Sequence, residues 1–225
     1  MERRARRTFT RALAKGLPQE TMERRFRRIY RMNLWRGADS RSGPGSSLEE
    51  TAVIRGELPR LIRELGAQSL LDVPCGDFFW MKEVPLALKS YVGADVVSRL
   101  VDDNNRRYGS NIRSFVRLDL RVDPLPRSDL VLCRDILDHL SFDDIRASLD
   151  NLARSGSTYL LATTYPERKV NDDIRSGDWR PLNLQQGPFC LPDPIEILNE
   201  RSRKPGYPDK SLGLWRIADI PGPPT

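Results

Sequence analysis

Between residues 69 and 165 the chain alternates between short apolar runs and amphipathic stretches. The runs Ser69–Cys75 (SLLDVPC), Tyr91–Val97 (YVGADVV), Arg113–Leu120, Asp129–Arg134 (DLVLCR) and Thr158–Thr164 (TYLLATT) have strand length. Near-continuous hydrophobicity over so few residues predicts strands buried on both faces. Between several of them the apolar spacing lengthens to three and four, predicting helices over Arg99–Tyr108 and Phe142–Ser155. A capping-box pattern, Ser47-x-x-Glu50, predicts a further helix running to about Leu65. Two later runs, Ile195–Asn199 and Ser211–Ile217, bring the expected strand count to seven. Strands joined by helical crossovers of one hand give an α/β doubly wound, mostly parallel sheet, whose ligand sits at the carboxyl ends of the strands.

Upstream, Met22, Phe26, Ile29, Tyr30, Asn33 and Leu34 form a helical stripe, so an N-terminal helical extension is expected. The turn-rich stretch Gly37–Ser47 follows, which places an extension with its loop at 1–47 and the main domain at 48–225. The 225 residues are enough for one domain with such an extension. Charge is unevenly spread: residues 1–36 hold 12 Arg/Lys against 3 Asp/Glu, and the remainder 25 against 28. A basic arm can hold nucleic acid or an anionic membrane surface, or can be only a solvated Arg-rich helix. Arg outnumbers Lys 31 to 6, which reads as a compositional habit rather than as selection for phosphate contacts. No run approaches the ~18–20 apolar residues of a bilayer span, and Met1–Arg7 is too charged for a secretory signal, so the cytoplasm is the expected location. Three cysteines at irregular spacing, Cys75, Cys133 and Cys190, suit neither a disulfide framework nor a zinc site, and no metal is expected.

Candidate chemistry gathers at strand ends. Asp72 lies inside the first strand, and Gly76 and Asp77 follow in its turn, where a glycine lets a ligand approach the backbone. Asp95 comes 23 positions after Asp72, at the tip of the second strand, where an acid can hold both hydroxyls of a ribose. No G-x-G-x-x-G is present, so no pyrophosphate cradle is spelled out; an acid-rich turn suits a cationic, phosphate-free nucleoside better. His139 is the only histidine and follows the fourth strand, where it could take a proton from an acceptor or serve only in packing. Asp135 and Asp138 beside it are rival bases or orienters. Ser42-Gly43-Pro44-Gly45-Ser46-Ser47 offers amides and hydroxyls for an anion, or is an ordinary capped helix start.

Several segments together resemble class I S-adenosylmethionine (SAM)-dependent methyltransferases: LLDVPCGDFFW, GADVV, RLDL around Asp119 and DLVLCRDILDHLSFDD, in the family's order across residues 69–165. More narrowly, D-x-P-C-G-D-F-x-W, the SGPGSS loop and GDWRPLNL resemble a group of small bacterial methyltransferase-domain proteins. Pro74 and Phe78 stand where the common first motif has its first and third glycines, leaving only Gly76. The resemblance implies a Rossmann-like fold and SAM as cofactor. It places Asp72, Cys75 and Gly76 at the methionine end, with Asp77 able to take part. Asp95 would take the ribose, and Asp119 with Leu118 or Leu120 the adenine amine. Arg134 and Asp135 would close the pocket. The loop of Ser42, Gly43 and Ser46 would fold over the methionine carboxylate, with Trp35 as a wall. Tyr165 and a lid containing Asn171, Asp172, Trp179 and Arg180 would hold the acceptor.

The expected activity is methyl transfer to an oxygen of a small molecule such as a metabolite or sugar. The alternatives are an RNA or protein methyltransferase using the basic arm, and a non-catalytic SAM-binding scaffold. A homodimer is left open.

Overall fold

The computed structural model describes residues 20–221. The elements run α1 (Met22–Arg31), α2 (Ala52–Glu64), β1 (Ser69–Asp72), β2 (Ser90–Asp95), α3 (Ser98–Tyr108), β3 (Arg113–Arg117), β4 (Leu130–Cys133), α4 (Phe142–Arg154), β5 (Tyr159–Thr164), β6 (Glu196–Asn199) and β7 (Ser211–Arg216). One seven-stranded sheet has the order β3-β2-β1-β4-β5-β7-β6. Its first five strands are parallel, and β7 lies antiparallel between β5 and β6. The expected seven strands and mostly parallel sheet are therefore present.

Continuous hydrophobicity has its expected cause. Leu130, Val131, Leu132 and Cys133 of β4 are all fully buried, as a central strand covered on both faces requires. Each such Leu or Val contributes about 1.5–3 kcal/mol by leaving water. Helix α4 adds Ile145, Leu149 and Leu152 to the core, and its first turn is capped by Ser141 accepting from the Asp144 amide at 3.3 Å. The crossovers β1→β2 and β3→β4 contain no α-helix among the described residues; a single 3₁₀ turn, Met81–Glu83, serves the first.

Two local expectations need correcting. The stripe through Asn33 and Leu34 does not continue as helix: α1 ends at Arg31, Asn33 turns to φ +48°, and Leu34 is exposed. Phe26 and Ile29 still anchor α1 in the main core. The capping box is half formed. Ser47 Oγ accepts from the Glu50 amide at 3.2 Å, but α2 starts only at Ala52. Glu50 reaches instead across to Ser202 Oγ and the Arg203 amide. The basic arm over 1–19 lies outside the described residues.

Candidate active site

A first cavity opens at the carboxyl ends of β1, β2 and β4, between the sheet and α1. Asp72, Cys75, Gly76 and Asp77 line it from the β1 turn, Asp95, Val96 and Val97 from the end of β2, and Leu118, Asp119 and Leu120 from the segment after β3. Met22, Phe26 and Tyr30 of α1 form part of its wall. Burial pushes the Asp95 carboxyl up to about 6 despite bonds from backbone amides. Its Oδ1 accepts from Val97 N–H at 2.9 Å, and the Gly76 and Val96 amides also act on the carboxylate. Asp72 is likewise pushed by burial up to about 7, and its Oδ2 accepts from Tyr91 OH at 2.6 Å.

Asp77 fastens the loop above this cavity. Its carboxylate accepts from Ser40 Oγ at 2.8 Å and the Arg41 amide at 3.0 Å, and its amide donates to Ser42 Oγ at 3.0 Å. Gly76 sits beneath at φ +55°, and a Cβ there would stand 2.4 Å from Ser42 Oγ. Left-handed backbone and close approach together demand glycine here.

A second cavity, of about 460 Å³, lies beyond and shares three walls with the first: Trp35, Ser42 and Asp135. Its other walls include Asp138, His139, Tyr165, Trp179, Lys204 and Lys210. Asp135 holds the junction in a left-handed conformation, φ +53°. Lys210 Nζ approaches its carboxylate at 2.8 Å and Arg134 Nη1 at 3.1 Å, and its amide donates to Thr163 Oγ1 at 2.8 Å. Burial opposes ionisation, but the two cations prevail and hold the Asp135 carboxyl well below the usual carboxylate range. Glu200 completes this buried network, with Arg134 at 2.5 Å and Lys210 at 3.5 Å.

Asp138 is in the opposite state. Burial raises its carboxyl above the ordinary value; Oδ2 accepts from Trp179 Nε1 at 2.9 Å and Oδ1 has no partner among the described residues. His139 packs its ring on Trp35, centroids 4.7 Å apart, and Nδ1 lies 2.9 Å from the Asp178 carbonyl oxygen. A carbonyl can only accept, so Nδ1 carries a proton, and in the corresponding neutral tautomer the lone pair is at Nε2.

No family model matches the chain, and no curated protein matches it. Solved structures do. Human N-acetylserotonin methyltransferase in complex with SAM aligns over 89% of this chain and 60% of its own length, with TM-score 0.59 and 14% identity. The methyltransferase domain of bacterial CtHen1-C aligns over 76% of this chain and 98% of its own length, with TM-score 0.55 and 13% identity. The N-methyltransferase NodS of Bradyrhizobium japonicum WM9 covers 75% of this chain and 96% of its own length, with TM-score 0.53 and 13% identity. The chain has the class I methyltransferase fold.

Within that methyltransferase fold most of the expected residues meet. Trp35, Ser42, Ser46, Asp72, Cys75, Gly76, Asp77, Asp95, Asp119, Leu120 and Arg134 line the first cavity, and Asp135, Asp138, His139, Tyr165 and Trp179 the second. Five residues behave differently. Gly43 lines only the second cavity. Asp119 has both oxygens engaged by Arg121, at 2.9 and 2.7 Å, so it is an ion-paired turn acid. Asn171 spends its side chain on Asn183 and the Gly187 carbonyl. Arg180 donates to the carbonyls of Leu137, Leu140 and Asp172, and the side chain of Asp172 is exposed outside both cavities. Segment 171–183 is thus fastened to the turn after β4, with Gly177 N–H on His139 O at 2.7 Å.

Sequence reasoning missed Glu50, Glu200, Lys204 and Lys210. A run of charges flanking β6 and β7 was the available signal, and such runs are ordinarily solvated. Among the described residues no group of three or more His, Cys, Asp or Glu is placed to hold a metal ion, and no helix is long and apolar enough to cross a membrane.

Proposed function

We propose that the chain is a SAM-dependent methyltransferase acting on an oxygen of a small-molecule acceptor. The observation that carries this reading is the pair of cavities sharing Trp35, Ser42 and Asp135, with the His139 ring in the second. The donor set of the first cavity fits the cofactor. The Asp95 carboxylate lines the cavity where ribose hydroxyls would bind, and Val96, Leu100, Leu118 and Leu120 offer apolar walls to an adenine. When bound, SAM would supply an electrophilic methyl group on sulfonium.

The residues then divide the remaining tasks. Asp77 holds the Ser40–Ser42 loop closed, and Trp35 excludes water where the cavities join. His139 accepts the acceptor's proton at Nε2, with Nδ1–H fixed on the Asp178 carbonyl. Asp135 is too well stabilised as an anion by Arg134 and Lys210 to be an effective base, and acts by shaping the junction. A second cavity of about 460 Å³ suits a metabolite-sized acceptor.

The test is calorimetric titration with SAM followed by incubation of cell extract with methyl-labelled SAM. Saturable binding and label in a low-mass, base-stable product are expected. No SAM binding overturns the cofactor, label confined to RNA or protein overturns the acceptor class, and binding without transfer leaves a scaffold.

A further inference from the structure

Two aromatic walls of the second cavity, Tyr165 and Trp179, stand mutually steep with a third ring, Tyr207, packed beside them. Tyr165 and Trp179 are 6.3 Å apart at 75°, Tyr165 and Tyr207 6.1 Å at 82°, and Trp179 and Tyr207 4.9 Å at 88°. The indole is fixed by its bond to Asp138 Oδ2, and the other oxygen of that buried carboxylate has no partner among the described residues. The chain puts its own ammonium into this cage. Lys204 Nζ lies 3.2 Å from the Trp179 ring centroid and 5.0 Å from that of Tyr207. Neighbouring cations are committed elsewhere, Arg203 to Glu49 and Lys210 to Asp135 and Glu200. Lys204 makes no salt bridge among the described residues, and it sits on an exposed stretch before β7.

We propose that this cage recognises a cationic nitrogen carried by the acceptor, which takes the place of Lys204. The inference rests on reading the second cavity as the acceptor site. Aromatic faces carry negative charge density and attract a cation brought within about 6 Å. Asp138, which lines the same cavity with one carboxylate oxygen unpartnered among the described residues, supplies the opposite charge. Lys204 shows that the cage admits an ammonium; burial lowers that group's hold on its proton, and its flexible stem lets it swing into solvent when another cation arrives. The nitrogen would bind remote from the methylated oxygen, orienting the acceptor's hydroxyl toward His139.

Three probes of one shape separate charge from size: choline, 3,3-dimethylbutan-1-ol and 3,3-dimethylbutanoate. The full chain, labelled with ¹⁵N-tryptophan, is titrated with each, following the Trp179 indole N–H, which is assigned by its disappearance in Trp179→Phe. In Lys204→Ala, choline is expected to bind at least tenfold tighter than its neutral isostere and at least tenfold tighter than it binds the wild type. Adding Trp179→Leu to Lys204→Ala should remove that preference, now read on the indole N–H of Trp35 in the same cavity because the Trp179 signal is gone, with tyrosine near-ultraviolet dichroism confirming the fold. Equal affinity for charged and neutral probes would overturn the proposal. So would tight binding of the carboxylate to the wild type that Lys204→Ala loses, since Lys204 would then be an anion hook. SAM is titrated calorimetrically on the same samples, so failure of the cofactor reading registers there and leaves the ranking of the three probes to decide the cage.

Discussion

The two cavities meet at Trp35, Ser42 and Asp135 but are built in opposite ways. The first takes most of its walls from consecutive residues at strand ends, 72–77, 95–97 and 118–121, where the hydrogen-bonded sheet fixes the backbone. Its acids Asp72 and Asp95 are buried among apolar neighbours and raised to about 7 and about 6. The second is assembled from five separated stretches, and its charges include pairs between residues far apart in sequence, such as Lys210–Asp135 and Arg203–Glu49. A site held by the sheet should answer substitution through affinity, whereas one held by side chains on loops should answer through turnover and selectivity.

The largest expected effect falls on the loop-built side. On the proposed reading His139→Ala lowers single-turnover rate about 10²–10⁴-fold, while SAM affinity and melting temperature stay near wild type. A joint fall of melting temperature and SAM affinity would show that the ring serves packing on Trp35, breaking the contrast between the cavities. On the sheet-built side, Asp95→Ala should weaken SAM binding by about 1.5–3 kcal/mol, tenfold or more, read by calorimetry. Unchanged affinity would remove the ribose from this position.

Gly76→Ala probes the junction. A residue forced to hold φ +55° against Ser42 Oγ should cost about 1–3 kcal/mol in urea unfolding. Ligands of both cavities should weaken together, because Ser42 belongs to both. The smallest effect concerns pH. Asp72 titrates near 7 in the fold against ~3.9 in an unfolded chain. The native state therefore binds the proton more tightly, and this carboxyl's contribution to stability is largest below about pH 4 and is lost as pH rises toward 7. Asp72→Asn should remove that loss, so its stability relative to wild type should improve between pH 5 and 8 by on the order of 1 kcal/mol. A difference that does not vary with pH would place the titration elsewhere.

The same contrast explains what could be read beforehand. Strands such as LVLC of β4 announce themselves because burial on both faces leaves no polar position. Helix α4 was legible because Ile145, Leu149 and Leu152 repeat at helical spacing. Asp72, Gly76 and Asp95 were legible because strand ends are where an acid or a glycine needs a reason. Asn171 and Arg180 misled, since polar side chains in a long loop look free for ligand. In fact the turn Leu137–Leu140 leaves carbonyls that need donors, and Arg180 supplies them. Nothing local could foretell Lys210 beside Asp135 or Glu50 beside Ser202, contacts made across 75 and 152 residues. No hydrophobic period encodes the arrival of one loop beside another.

Trp35 and Ser42 have a consequence for the order of events. A wall held in common makes the shape of each chamber conditional on what fills the other, and Asp77 ties that wall to the side of the first. If, as proposed, SAM and its acceptor are the two occupants, binding is expected to be sequential: the donor seats the wall, the acceptor meets a finished chamber, and the methylated product departs before the spent donor. On the proposed reading, steady-state kinetics should then show an ordered mechanism, with the demethylated cofactor competing against SAM and not against the acceptor.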